Sequence, residues 1–350
     1  MKAVLDYFRG RRTRRSAPAR RPHQARLSVE PLEDRLLMSA SSLAIHAVKD
    51  NFGSAVFYLK NNGFYEKDSS GATLWLIGDP HAVRQFSAGV DSYGKADVFA
   101  TSAIDNSMWE FNSNGWQNLY APETMTEFAA VNGDRVYAVG ADNALWEHSP
   151  LHWVNQGGHW HLVGGWNQMA PPAPGVGVQY LDAVTQTADQ SDAVVAVCTD
   201  GTLWLHRNAG WRLLAWEPNY FQQTSISAGL DVWGRAAVYG LSNDDGFDPP
   251  DQLWRWTVSD QSWTPLGTAG TIWQISATNG GQVWFLTTGG ALGKFESAGN
   301  MKIVDSNYHS EIGAAGSADV YVVGWYPDGT NALAERSAMG FWQQWDTNIW

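Results

Sequence analysis

The sequence predicts an all-β fold, a seven-bladed β-propeller of four-stranded antiparallel blades over residues 41–350, and three observations predict it. First, short runs rich in Val, Tyr, Leu and Trp flank bends of Gly, Asp and Asn. In residues 135–146, for example, Gly140-Ala141-Asp142-Asn143 separates two such runs, and a bend of this composition marks a tight antiparallel hairpin. Second, this hairpin recurs about seven times along the 350 residues. One hairpin cannot bury its apolar face in water, whereas repeated units can bury theirs against one another. Third, residue size is graded within each copy, small at the start and large toward the end.

The chain opens with a basic leader. Residues 1–40 carry a net charge of +6, with Arg11-Arg12-Thr13-Arg14-Arg15 and Arg20-Arg21 among Pro and Ala, and no apolar run of secretory-signal type; the composition predicts disorder. At its end stand Glu30-Pro31, Arg35, Leu36-Leu37 and Ser39-Ala40, with Leu32-Glu33-Asp34 between them. This stretch resembles the LEPR-XLL segment of large exported bacterial proteins. The resemblance implies export to the cell surface or beyond; a short amphipathic helix with chance Arg/Leu spacing is the alternative.

From Ser41 onward three landmarks recur in order. A large apolar residue stands two positions before Ala at Ile45/Ala47, Phe86/Ala88, Phe128/Ala130, Leu181/Ala183, Ile226/Ala228, Ile275/Ala277 and Ile312/Ala314. Val followed by an aromatic comes next, as at Val56-Phe57, Val98-Phe99, Val136-Tyr137, Val238-Tyr239, Val283-Trp284 and Val320-Tyr321, with Val194-Val195 the departure. A bend then leads to Leu-Trp or a variant of it, as at Met108-Trp109, Leu145-Trp146, Leu203-Trp204 and Leu253-Trp254. A fourth strand is marked by Trp75, Trp116, Trp160, Trp211, Trp263 and Trp342. The landmark alanines lie 37 to 53 residues apart, the length of a four-stranded propeller blade. In a propeller the first strands converge on the axis, where only small residues fit, and the wedge between blades widens outward to take aromatics. If the first unit is decoration, the count is six. Ring closure is open between packing of blades one and seven and an added strand from before Ser41.

Outside the leader the chain has a net charge of −18, so the folded part would be repelled by nucleic acid. No run approaches the roughly 20 apolar residues of a membrane span. Cys198, the single cysteine, lies in an apolar run and reads as a small buried hydrophobe.

Loops between strands one and two share a face with loops between strands three and four. On that face one turn recurs in register: Asp50-Asn-Phe52-Gly53, Asp91-Ser-Tyr93-Gly94 and Asp231-Val-Trp233-Gly234. One reading is a bend capped by Asp, with Gly supplying the left-handed turn. The other is a ligand site in which Phe52, Tyr93 and Trp233 stack on a sugar ring and Asp50, Asp91 and Asp231 accept its hydroxyls. Residues 89–95 match part of a phosphate loop, but Ala96 replaces the magnesium-binding hydroxyl and a strand follows. His148, His152, His159 and His161 lack a Cys or a fixed third ligand and read as surface histidines rather than a zinc site. On the opposite face, residues 243–251 are dense in carboxylates without calcium-loop spacing. No cofactor or metal is expected. Nucleophile-elbow, zincin and dinucleotide motifs are missing, and Thr199-Asp200-Gly201-Thr202 matches a sialidase Asp-box only in part, so the chain is expected not to be an enzyme.

The rhythm of Leu203-Trp204 and Trp211, and of Met108-Trp109 and Trp116, is similar to tectonin-type repeats and to bacterial fucose-binding lectin propellers. That resemblance implies a non-catalytic exported propeller that binds carbohydrate, with glycans or cell-surface polysaccharide as partners. A protein-interaction or envelope-scaffold propeller with envelope-protein partners is the alternative, and a glycoside hydrolase stands behind it.

Overall fold

The computed structural model describes residues 45–347 apart from 61–62, 69–71, 77–81, 209, 216–220, 243–251, 269–271, 279, 296–300, 316–318, 326–330 and 337–341. The leader, the LEPR-XLL-like segment and the acidic loop 243–251 lie outside the described residues.

The described strands form seven four-stranded antiparallel sheets, each built from four consecutive strands. The sheets span residues 45–75, 83–118, 125–168, 178–215, 221–268, 272–305 and 309–347, so one sequence repeat is one blade. The protein is a seven-bladed β-propeller, and the first unit is a full blade. Blades one and seven each draw all four strands from their own repeat. The ring closes by packing: Ile45, Ala47, Val56 and Tyr58 of blade one share an apolar cluster with Tyr321, Val323 and Leu333 of blade seven.

Each of the seven apolar clusters joins two successive blades, so the core is divided among seven seams. The predicted grading of size holds at the hub, where all seven landmark alanines line one axial cavity of about 160 Å³. A first strand is also an edge strand, and its inward N–H groups need acceptors. In four blades the residue before the landmark Ala supplies one to the next blade. Ser87 Oγ accepts from Ala130 N at 2.9 Å, Asp182 Oδ2 from Ala228 N at 2.7 Å, Ser227 Oγ from Ala277 N at 3.0 Å and Ser276 Oγ from Ala314 N at 3.2 Å.

A second set of clasps runs around the rim. The indole Nε1 of Trp166, Trp211 and Trp263 donates to the carbonyl of Leu119, Ala170 and Leu214 on the preceding blade, at 2.9, 2.8 and 2.9 Å. Register identifies these tryptophans: Trp166 lies opposite His148, Trp211 opposite His206 and Trp263 opposite Trp256. Trp160 is therefore not the fourth-strand marker of blade three. The outer hairpin there is lengthened to Leu145–Gln156 and His159–Gln168, which carries Trp160 to an exposed tip. Trp75 is displaced likewise, since Thr73 holds the equivalent place opposite Lys67.

Candidate carboxylate site at the seam of blades two and three

The turn between the first two strands of blade two, Val83–Val90 and Ala96–Ser102, is closed by Asp91. Its Oδ1 accepts from Tyr93 N and Lys95 N, both at 2.8 Å. Gly94 takes φ of 79°, and a Cβ there would collide with Asn51 of blade one. Asp231 repeats the cap with Trp233 N and Arg235 N at 2.9 Å, and Asp50 accepts from Phe52 N and Gly53 N at 2.7 and 2.8 Å. The three carboxylates are thus engaged by turn amides. The three rings are exposed, Phe52 at 66%, Tyr93 at 78% and Trp233 at 65%. Lys95 lies over Phe52 and Arg235 over Trp233, at 5.9 and 4.9 Å. Phe52 and Tyr93 sit on adjacent turns tied by Asn51 N to Gly94 O at 2.8 Å, whereas Trp233 belongs to blade five.

Just below Tyr93 the chain does something the repeat does not require. Asp97 follows Ala96 at the start of the second strand, and Glu110 lies on the third strand, Met108–Asn112, opposite Phe99. Opposed residues and those two apart share a sheet face, so Asp97, Phe99 and Glu110 all point toward blade three. Blade three brings Asp134 from its own first turn, beside Gly133, whose N–H donates to Val90 O at 2.6 Å. One carboxylate oxygen from each of Asp97, Glu110 and Asp134 can be chosen so that all lie within 4.8 Å of one another.

Asp97 is fully buried, and neither of its oxygens has a hydrogen-bond partner among the described residues. Burial, followed by the charges of Glu110, Asp134 and Asp91, holds its carboxyl well above the usual range. Burial also raises Glu110, which the charges of Asp134 and Asp91 reinforce and a hydrogen bond from Asn112 opposes. Asp134 is half-buried and accepts from Ser92 N at 3.3 Å. All three donors are hard oxygens, the set that takes Ca²⁺, Mg²⁺ or Mn²⁺, or that shares protons in acid–base work.

Other candidates resolve into structure. Asp182 in the hub is pushed up to about 6 by burial, yet its two oxygens accept from Ala228 N and Ala183 N at 2.7 and 2.8 Å. His46 is half-buried there, and desolvation pushes it down to about 4. His148 is buried against Trp166, with ring centroids 5.0 Å apart. His152, His159 and His161 are exposed on the long hairpin. Burial pushes the Cys198 thiol up to about 12, away from nucleophilic use. The Asp-box-like stretch is a turn bracket: Asp200 accepts from Thr202 N and Oγ1, and the Trp204 indole donates to Thr202 Oγ1 at 2.7 Å. Trp109 repeats this with Ser107 at 2.6 Å.

No protein-family model matches the chain, and no curated protein is similar to it in sequence. Solved structures do align with it. Virginiamycin B lyase of Staphylococcus aureus, solved with quinupristin, aligns over 81% of this chain and 93% of its own, at 11% identity and a TM-score of 0.55. Puromycin hydrolase aligns over 88% of this chain and 53% of its own, at 14% identity and a TM-score of 0.53. The propeller domain of the Trilobed protease of Pyrococcus furiosus aligns over 87% and 97%, at 9% identity and a TM-score of 0.54. Likeness at these identities establishes the fold.

These comparisons correct the family expectation: similar propellers include those of a lyase, a hydrolase and a protease, and no tectonin or fucose-binding-lectin model matches. The physical reason is that the tryptophans on which the resemblance rested serve the fold: Trp109 and Trp204 bracket turns, Trp211 clasps the rim, and Trp116 packs against Phe64 and Phe111. With the family go the non-catalytic lectin function, the scaffold alternative and the glycan and envelope-protein partners. The expectation that the chain is not an enzyme is likewise corrected, since similar propellers include a lyase and a hydrolase and Asp97, Glu110 and Asp134 form a candidate site that no linear motif announces. Among the described residues no helix is long and apolar enough to cross a membrane.

Proposed function

We propose that this protein is a propeller enzyme, a hydrolase or a lyase, with its reacting carboxylates at the seam of blades two and three. The observation that carries this reading is the buried Asp97 carboxylate, with neither oxygen partnered among the described residues, beside Glu110 and Asp134. Burying an unpaired carboxylate against two others opposes folding, and groups held at such a cost concentrate where chemistry is done.

Hydrolysis and elimination begin alike: a base takes a proton from water, or from the carbon beside a leaving group. A carboxyl raised toward neutrality, or a cation held by carboxylates, serves either purpose. Asp134 is the member that meets solvent, and the exposed Tyr93 ring on the neighbouring turn, with Phe52 beyond it, gives an apolar surface for a substrate. The lyase and hydrolase among the similar structures support the reaction class, and they make quinupristin and puromycin the first compounds to try.

The test is turnover by the purified full chain on those two compounds and on a panel of chromogenic esters and amides. At least one is expected to be turned over, with the rate falling about a hundredfold or more in Glu110→Gln and Asp134→Asn while both variants stay folded. Turnover of none, or rates unchanged in both variants, would contradict the reading.

A further inference from the structure

The seven seams repeat one arrangement, and equal register allows them to be compared. Between blades three and four, Arg135 stands where Asp97 stands, Tyr137 where Phe99 stands, and Glu147 where Glu110 stands, opposite Tyr137. The facing residue there is Asp192, the counterpart of Asp134. Arg135 Nη1 meets Asp192 Oδ2 at 2.6 Å and Nη2 donates to Oδ1 at 3.2 Å. The Tyr137 hydroxyl donates to Oδ2 at 3.1 Å and Thr185 Oγ1 to Oδ1 at 2.7 Å. That seam has a cation and hydroxyl donors for its acids.

Between blades seven and one, the carboxylate at the same register is Asp319, and the facing residue is Ser54, whose Oγ donates to Asp319 Oδ2 at 3.0 Å. Here a carboxylate is met by a hydroxyl. Between blades two and three, Asp97 replaces the guanidinium and Phe99 replaces the hydroxyl of Tyr137, so the acidic acceptors of the neighbouring seam are kept while its cation and its phenol donor are gone; Glu110 retains one donor, Asn112, at 2.9 Å. Asp91 adds a fourth acid nearby, its Oδ1 already taken by turn amides. Three buried or half-buried carboxylates with no counter-charge among the described residues form an arrangement that a small cation completes.

We infer that this seam binds one hard divalent cation, Ca²⁺ foremost, on Asp97, Glu110 and Asp134, in the place that the Arg135 guanidinium takes one seam further on. The donor set contains no nitrogen or sulfur, which disfavours Zn²⁺ and the later transition metals. A site of three protein carboxylates, two of them buried, suits Ca²⁺, which tolerates irregular oxygen geometry, better than Mg²⁺, which keeps several waters and is bound through one or two carboxylates. Three protein side chains leave coordination positions for water or a substrate oxygen. The cation thus clasps two blades and supplies a Lewis acid to the proposed reaction. This deepens the proposed function and rests on the same seam being its site, but its test reads binding and unfolding, so either can fail alone.

The test is calorimetric titration of the full chain with CaCl₂ and with MgCl₂ after treatment with EDTA, paired with thermal unfolding, on wild type, Asp97→Asn and Asp97→Arg. Wild type is expected to take up one Ca²⁺ per chain, more tightly than Mg²⁺, with Tm rising about 5 °C at a hundredfold excess over Kd. Asp97→Asn is expected to lose at least tenfold in affinity and to lose the Tm shift. Asp97→Arg, which rebuilds the neighbouring ion pair with Asp134, is expected to melt at or above the Tm of Ca²⁺-loaded wild type and to ignore Ca²⁺. If Asp97→Arg does not fold, Asp97→Asn alone decides. No stoichiometric uptake by wild type, or an equal Tm shift in wild type and Asp97→Asn, would overturn the inference. Uptake by a chain without turnover would leave it standing and remove the proposed enzyme.

Discussion

Asp97 is held in a state that its surroundings disfavour, and that has a consequence for pH. Its carboxyl is raised well above the usual range, by burial first and then by Glu110, Asp134 and Asp91, so without cation the folded protein binds this proton more tightly than the unfolded chain does. A raised folded value contributes stability below the unfolded value of about 3.9, and loses it as pH rises toward the folded value. His46 and His148, pushed down to about 4, act in the opposite sense between about pH 4 and 6.5, which makes a difference between variants the clean readout. In EDTA, the Tm of Asp97→Asn minus that of wild type is predicted to be near zero at pH 4 and to grow as pH rises to 8; a flat difference would show that Asp97 is not strained. Cys198 offers a second check at this scale. With its thiol pushed up to about 12, it is predicted to resist iodoacetamide at pH 8 until the protein is unfolded, as mass spectrometry would read.

At the scale of the strand, residues beside the landmarks matter as much as the landmarks. The alanines of the first strand were legible because crowding at an axis selects for size, and size repeats. Their neighbours Ser87, Asp182, Ser227 and Ser276 carry no such signal, because the need they meet, an acceptor for an edge N–H on another blade, leaves no periodic mark within one copy. Ser227→Ala, which strips the acceptor from Ala277 N, is predicted to cost about 1 to 3 kcal/mol, measured by urea unfolding; a cost near zero would mean that water in the channel replaces the hydroxyl. The carboxylate site escaped for a related reason. Asp97, Glu110 and Asp134 obey no spacing rule, and only strand register and the next blade bring them together. One signal was available: aligned on Val-aromatic, the preceding residues are Ala55, Asp97, Arg135, Ala193, Ala237, Gln282 and Asp319, so a carboxylate and a guanidinium occupy one position in successive copies. Trp160 misled because equal counting assumes equal hairpins, and that of blade three is longer.

Over the whole molecule, stability is divided among seven seams that share an apolar wedge, with hub clasps at four of them, rim clasps at three, and polar fittings near the first face that differ from seam to seam among the described residues. A ring has no spare seam, so a weak one limits the rest, and the seam of blades two and three joins acid to acid. The central claim is that a cation belongs there. The most direct measurement is anomalous diffraction from crystals of the full chain soaked in MnCl₂, a hard divalent ion with a usable anomalous signal. The account predicts one strong peak between blades two and three, ligated by Asp97, Glu110 and Asp134, and none between blades three and four where Arg135 meets Asp192. A seam of blades two and three without a peak at saturating Mn²⁺, its three carboxylates in place, would contradict it.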